Sequence, residues 1–294
     1  MMIDHISILH FDGKREATRK RLQKLKAAGF IAERPRRIQE PAVLFLTGKA
    51  FSLLKGNGIL VNYPAIPAAT LEKRAHVSDL TLRHELEVMD AKAAFHSAIS
   101  NDPRLTLDVF STWPLLNQFE GVRPGAKKSV LVKPDGFIQI HETEPDGETS
   151  EHTFFLEVDR STEVQETLVE RAGCYLDYYK SGGFAERNRA PRSAFKEFPF
   201  RVLFVMKTAE RRNNTAERLL QGSVPILTQV LLTTAGEVTA NPLGAIWIRP
   251  VDYRSATAET AFDPATKRRS WEYKRQPERE ALIDLRVKKI PLIE

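Results

Sequence analysis

The segment RVLFVM, which runs from Arg201 to Met206, places the tightest limit on how this chain can fold. The five residues after Arg201 are all apolar, so a strand here has no polar face to turn towards water. Strands of this kind lie inside sheets that are covered on both faces, usually by helices. The segment therefore predicts an α/β protein in which this strand lies in the interior of a sheet.

The segments around this strand predict the rest of the sheet. Apolar periodicity and turn residues indicate a helix, three strands, a second helix and then the buried strand. The first three strands can form a meander, and the second helix can cross over to the buried strand. This order predicts an α/β (α+β) sandwich with a mixed sheet. The expected elements are helices at 79–100, 162–180 and 209–221, and strands at 105–111, 129–140, 152–159, 201–206, 225–232 and 245–249.

Two of these strands carry acids, which strand interiors seldom contain. The second expected strand contains Asp135, between a proline and a glycine, and the third contains Glu157 and Asp159. Residues two apart in a strand point to the same face, so Glu157 and Asp159 should share a face with Phe155, while Leu156 faces the other way. If the two strands pair, Asp135 and Glu157 can meet.

Three neighbouring carboxylates can bind a hard divalent cation, because such ions prefer oxygen ligands. We therefore expect Asp135, Glu157 and Asp159 to bind Mg²⁺ or Mn²⁺, which would polarise a phosphodiester and activate a water molecule. A second interpretation stays open. Asp159, Ser161 and Thr162 precede a helix and can cap it, Asp159 can form a salt bridge, and Asp135 can be a turn residue.

The positive charge of the chain is concentrated near its beginning. Residues 14–37 hold ten basic side chains against Glu16 and Glu33, a local charge of +8, whereas the whole chain has a net charge of +6. A one-sided field of this kind suggests a polyanionic partner such as double-stranded DNA. The expected DNA-binding residues are Arg15, Arg19, Lys20, Lys24, Arg34, Arg36 and Arg37.

The same region has the element order of the later part of a winged helix-turn-helix. A basic helix at 14–29 ends at Gly29, a favourable residue just past a helix. After an extended arm around Pro35 come a strand at 43–46 and a helix from Thr47. A recognition helix followed by a wing would hold this charge against DNA. The alternative is a solvated charged helix that packs on the larger domain.

Composition narrows the class of protein. No stretch approaches the roughly 18 apolar residues that a membrane span requires, so we expect no membrane partner. The single cysteine, Cys174, excludes an internal disulfide, is compatible with the cytoplasm and is expected in the core. A phosphate-binding loop of the G-x-x-x-x-G-K-[ST] kind is missing from the sequence, which argues against ATP hydrolysis.

Several segments carry a resemblance to known proteins. The order VKPDGFI, FFLEVDRSTE and then a helix resembles the PD-(D/E)xK nuclease superfamily. With LTGKAFSLL and LRHELEVMDAKAAF ahead of them, these segments more narrowly resemble plasmid replication-relaxation proteins. The resemblance implies catalytic and metal-binding roles for Asp135, Glu157 and Asp159, with Mg²⁺ or Mn²⁺. It also implies replication or mobilisation proteins as further partners.

The resemblance implies a domain order as well. It places a winged helix-turn-helix at 1–60, a linker at 61–78, a PD-(D/E)xK nuclease-like domain at 79–250 and a C-terminal extension at 251–294. Asp159 stands where the superfamily usually has lysine, so the resemblance implies the nuclease fold more firmly than cleavage. The expected function is DNA binding in plasmid replication, relaxation or mobilisation. The alternatives are an active Mg²⁺-dependent DNA endonuclease and a transcriptional regulator.

Overall fold

A computed structural model describes most of the 294-residue chain. The described residues are 1–67, 69–70, 73, 76–160, 164–222, 224–264, 266–273 and 287–293, with the backbone alone for 255–263 and 268–273. The predicted caps Ser161 and Thr162 lie outside these residues. Among the described helices, none is long and apolar enough to cross a membrane.

The first part of the chain forms a small helical unit with a two-stranded ribbon. Its elements are α1 (Ile3–Phe11), α2 (Arg15–Ala27), β1 (Ile31–Glu33), β2 (Leu44–Leu46) and α3 (Gly48–Gly56). Gly29 follows α2 with a φ of +74°, as expected for the residue that ends a helix. The Thr47 side chain accepts a hydrogen bond from the Ala50 amide and so caps α3.

The second part begins with a long helix and an antiparallel meander. Ser78 caps the helix by accepting a hydrogen bond from the Thr81 amide. The elements are α4 (Asp79–Ser100), β3 (Leu105–Ser111), β4 (Phe119–Val122), β5 (Ser129–Val132), β6 (Gly136–Thr143) and β7 (Thr149–Asp159). β3, β6 and β7 are neighbours in the main sheet and run antiparallel, which confirms the predicted meander. β4 and β5 form a separate ribbon.

The remaining strands extend the main sheet in parallel. Its order is β3-β6-β7-β8-β9, and β8 runs parallel to both β7 and β9, so the predicted mixed sheet is confirmed. The elements are α5 (Gln165–Lys180), α6 (Gly183–Arg187), a 3₁₀ turn (Arg192–Glu197), β8 (Arg201–Met206), α7 (Ala209–Gln221), β9 (Val230–Thr234), α8 (Ala235–Ala240), α9 (Pro250–Thr257), β10 (Ala258–Asp263) and β11 (Arg268–Tyr273).

Helices cover both faces of the sheet, as the buried strand β8 predicted. One apolar cluster joins Phe155 and Phe204 to α5, and the other joins Leu156 and Leu203 to α4. Every β8 residue after Arg201 is buried. Phe155 and Leu156 therefore face opposite layers, and Cys174 lies in the first cluster as expected.

Two predicted strands differ in kind from those observed, and the strand expected at 225–232 begins later, as β9 at Val230–Thr234. The strand expected at 129–140 is two strands, β5 and β6, because Pro134 interrupts the ladder and sends β5 into the ribbon with β4. The segment at 245–249 forms only single bridges, from Ile248 to Leu232 and from Trp247 to Ile290. Its apolar residues therefore reflect core packing and not an extended ladder.

Candidate functional site

The end of β7 and the start of β6 bring the three predicted acids to one cavity. Gly136 pairs with Leu156, which puts Asp135 beside Glu157. The Asp135 amide donates to the Leu156 carbonyl (3.0 Å), and the Asp135 side chain accepts from the Val158 amide (2.8 Å). Asp135, Glu157 and Asp159 line the same cavity of about 290 Å³.

Each acid in this cavity is held by a protein side chain. Asp135 Oδ1 lies 2.8 Å from His84 Nε2. Glu157 accepts hydrogen bonds from Arg171 (2.8 Å) and from the Tyr175 hydroxyl (2.6 Å). With the Val158 amide on Oδ2 of Asp135, four carboxylate oxygens of these two acids have a protein partner.

Asp159 forms the tightest ion pair of the site. Both of its oxygens accept from the Arg211 guanidinium, at 2.7 and 3.1 Å. The Asp159 side chain is 3% exposed and that of Arg211 is 14% exposed, so the pair is withdrawn from water. Arg211 comes from the first turn of α7, which begins after β8 and therefore lies at the same end of the sheet. Of the two earlier interpretations of Asp159, the salt bridge is the one that this geometry favours.

Burial and hydrogen bonding shift the pKa values of three groups in the site. Burial raises the pKa of Glu157 to about 7; Arg171 opposes this shift and the neighbouring Asp135 adds to it. The pKa of His84 is raised as well, chiefly by its hydrogen bond to Asp135. Burial also raises the pKa of the Tyr175 hydroxyl, which keeps this group a hydrogen-bond donor. The site therefore contains a carboxyl that changes charge near neutral pH.

This arrangement does not fit a bound divalent cation. All six carboxylate oxygens already accept hydrogen bonds, five of them from arginine, tyrosine or histidine side chains and one from the Val158 amide. Within the described part of the chain, no group of three or more histidine, cysteine or acidic side chains could hold a metal ion. Binding of Mg²⁺ or Mn²⁺ by Asp135, Glu157 and Asp159 stays a prediction.

Two basic residues at the cavity are candidates to take the place of the lysine that the nuclease pattern usually contains. Arg160 also lines the cavity, but it bonds to Glu87 (3.0 Å) and to the Leu80 carbonyl (3.1 Å), so its guanidinium is tied to α4. Lys133 is exposed at the rim of the cavity. The position next to Glu157 on its own face remains that of Asp159.

The predicted DNA-binding residues lie in α2 and in the loop between β1 and β2. α2 turns Thr18 and the half-buried Leu22 and Leu25 inwards, so its basic residues face outwards. α1 packs on α4, with a contact of 2.7 Å between His5 and Asp90, whereas α2 packs mainly on α1 and β1. The outward-facing predicted residues, all exposed, are Arg15, Arg19, Lys20, Lys24, Arg36 and Arg37.

Arg34 is the predicted DNA-binding residue that is only partly exposed. Its side chain is 19% exposed and contacts Asp79 at the start of α4, at 3.0 Å. This position suits a contact between the first part of the chain and the sheet better than a contact with DNA.

Comparison with known proteins settles the family. A model of the replication-relaxation family matches residues 1–191. The chain belongs to the replication-relaxation family. The matched span contains the basic helix α2 and all three paired acids, Asp135, Glu157 and Asp159. No curated protein and no solved structure matches the chain.

In this replication-relaxation protein, the partners of the acids are the residues that sequence reasoning missed. Arg171 and Tyr175 are four apart on α5, and this spacing, which places both on one helix face, was the available signal. Tyr175 packs in the aromatic core, and its hydroxyl donates a hydrogen bond to Glu157. His84 and Arg211 are 51 and 52 residues from their acids, so only the fold reveals these pairs.

Proposed function

We propose that this replication-relaxation protein binds double-stranded DNA through α2 and the loop between β1 and β2. In this proposal it acts as an accessory factor in plasmid replication or mobilisation, and its sheet domain is a scaffold for other proteins of that process. The observation that carries the proposal is the exposed basic face of α2, which turns away from the rest of the molecule.

The order of elements supports this use of α2. A helix pair, α1 and α2, is followed by a two-stranded ribbon whose connecting loop holds Arg36 and Arg37. A helix fits the major groove of B-DNA, and a ribbon beside it can follow the phosphate backbone. The proposed roles are therefore recognition by α2 and backbone contact by the loop.

The ion pairs that these arginines form on the surface do not prevent them from binding DNA. Arg15 pairs with Asp4, Arg19 with Glu16 and Arg36 with Glu33. Surface pairs of this type stabilise a protein by only about 0–1 kcal/mol, so the arginines can exchange them for DNA phosphates. Lys20 and Lys24 are exposed between these pairs and add to the field.

The salt dependence of duplex binding tests the proposal. We expect the combined substitution of Arg19, Lys20 and Lys24 by alanine to weaken duplex binding at least tenfold. It should also lower the slope of log K against log [salt], by about 0.9 for each lost phosphate contact. A matched control replaces the exposed Lys128, Lys180 and Lys196 of the sheet domain, which changes the net charge equally. Equal slopes in the two variants would refute the role of α2.

The scaffold role is tested separately by nicking of supercoiled plasmid with Mg²⁺ or Mn²⁺. The alternative, a metal-dependent endonuclease, has one observation in its favour, which is that three acids line one cavity. We expect no nicking by the wild type, because arginine, tyrosine and histidine occupy the acids. Nicking that disappears in both Asp135→Asn and Glu157→Gln would overturn the scaffold role and favour the endonuclease.

A further inference from the structure

A second, larger cavity lies between the first part of the chain and the sheet domain. Its volume is about 780 Å³, within the roughly 300–1,000 Å³ of cavities that bind small organic groups. α1, α4 and the loop at 112–116 form its walls. It adjoins the carboxylate cavity, and His84, Lys133 and Asp135 line both.

We propose that this cavity takes an unpaired base of single-stranded DNA. The inference rests on the proposed DNA-binding function and extends it to a second form of the ligand. Two aromatic side chains at the cavity, Trp113 and Tyr63, are 38% and 44% exposed. Exposed aromatic rings beside an apolar recess are stacking partners for bases, and such stacking tolerates any sequence.

The wall of the cavity suits a flat apolar group. Leu82, Leu86 and Met89 project from one side of α4, and Leu116 comes from the loop that carries Trp113. A base that stacks on Trp113 would cover these side chains from water. The gain would come from burial of apolar surface, which makes up most of the cavity lining.

The charges around the cavity suit the phosphates that flank a base. Lys133 is exposed at its rim, and Lys92 lies in its wall. Asp135, one of the two acids of the lining, pairs with His84. Burial lowers the pKa of the Met1 amino group, and the charge of Glu85, the other acid, opposes that shift. Lys133 leaves an exposed positive charge at the rim, which can contact a phosphate beside the base.

The strand that leads into the loop with Trp113 is tied to the helix opposite. Lys92 donates a 2.6 Å hydrogen bond to the Phe110 carbonyl near the end of β3 and lies 5.5 Å from the Phe110 ring centroid. α1 forms part of the cavity wall and also packs on α2, so the cavity is one helix away from the surface proposed for duplex DNA.

Fluorescence anisotropy with a labelled oligothymidine and a labelled duplex tests the proposal. We expect Trp113→Ala to weaken oligothymidine binding about tenfold, with Trp113→Phe close to the wild type because the ring is retained. Duplex affinity should be unchanged in both variants. Tyr63→Ala should weaken oligothymidine binding in the same direction.

The control for the loop itself is Leu115→Ala. Leu115 is 37% exposed in the same loop but is outside the cavity lining, so this substitution should leave oligothymidine binding intact. A wild type that does not bind oligothymidine would overturn the proposal, and so would equal losses in Trp113→Ala and Leu115→Ala. Failure of the duplex proposal is recognised separately, by unchanged duplex binding when Arg19, Lys20 and Lys24 are replaced.

Discussion

The hydroxyl of Tyr175 donates a 2.6 Å hydrogen bond to Glu157 inside the core of the protein, where the two residues are 0% and 2% exposed. A buried carboxyl without partners would be costly, and this contact together with Arg171 compensates part of that cost. The acid is thus part of a polar network within an aromatic cluster. Its properties lead to the first two predictions.

Removal of the Tyr175 hydroxyl should destabilise the fold. Tyr175→Phe leaves one oxygen of Glu157 buried without its donor, a change that typically costs about 1–3 kcal/mol. Urea denaturation measures the loss. Tyr179→Phe, a half-buried tyrosine on the same helix, serves as the control and should change the free energy of unfolding by less. Equal effects would indicate that the Tyr175 hydroxyl does not support Glu157.

Glu157 should make the stability of the protein depend on pH. Its pKa is about 7 in the folded chain, against an ordinary value of 4.5, so the folded state keeps a proton that the unfolded state releases. Stability is therefore lost as pH rises from about 4.5 to about 7 and levels off above that, with a total of about 3 kcal/mol. Thermal unfolding of Glu157→Gln across this range should lack this component. Parallel pH curves for wild type and variant would contradict the prediction.

The Asp159–Arg211 pair should be strongly coupled. Arg211→Ala leaves a buried charge without its partner, and a loss of about 3–5 kcal/mol is expected. Asp159→Asn in the same chain removes that charge and should recover part of the loss. A double-mutant cycle in urea gives the coupling free energy, and a value near zero would show that the two side chains act independently.

The ribbon of β4 and β5 should be sensitive to the smallest side chain added at Gly121. A Cβ there would lie 2.8 Å from the Cys174 carbonyl oxygen, which is backbone and cannot move aside easily. We expect Gly121→Ala to destabilise the protein by about 1–3 kcal/mol in a denaturant titration. Gly236→Ala is the matched control, because a Cβ at this helical position has no neighbour within 4 Å. It should be neutral or slightly stabilising.

The sequence predicted the sheet better than the site because the two depend on different information. The apolar run of β8 and the alternation in β7 are local patterns, and they led to the correct strands, the mixed sheet and the shared face of Glu157 and Phe155. The position of Pro134 was a local signal for the break between β5 and β6, but the strand was drawn through it. The pairing of Asp159 with Arg211 depends on the packing of α7 on the sheet, which no local pattern contains.

The same contrast between local pattern and tertiary packing applies to the basic region at residues 14–37. The charge of α2 and the exposure of its lysines follow from the residues alone, because a helix with so few apolar positions can bury only one narrow face. The pairing of Arg34 with Asp79 depends on how the first part of the chain meets α4.

The hydrogen bond from the Val158 amide to the Asp135 side chain has a consequence for every experiment on the acids. The Asp135 side chain accepts a hydrogen bond from the Val158 amide where β6 offers no backbone carbonyl, so it joins the end of β7 to the start of β6. Alanine at this position would remove this hydrogen bond together with the charge. Asparagine keeps an oxygen for the amide, and so it separates the role of Asp135 in closing the sheet from any role of its charge.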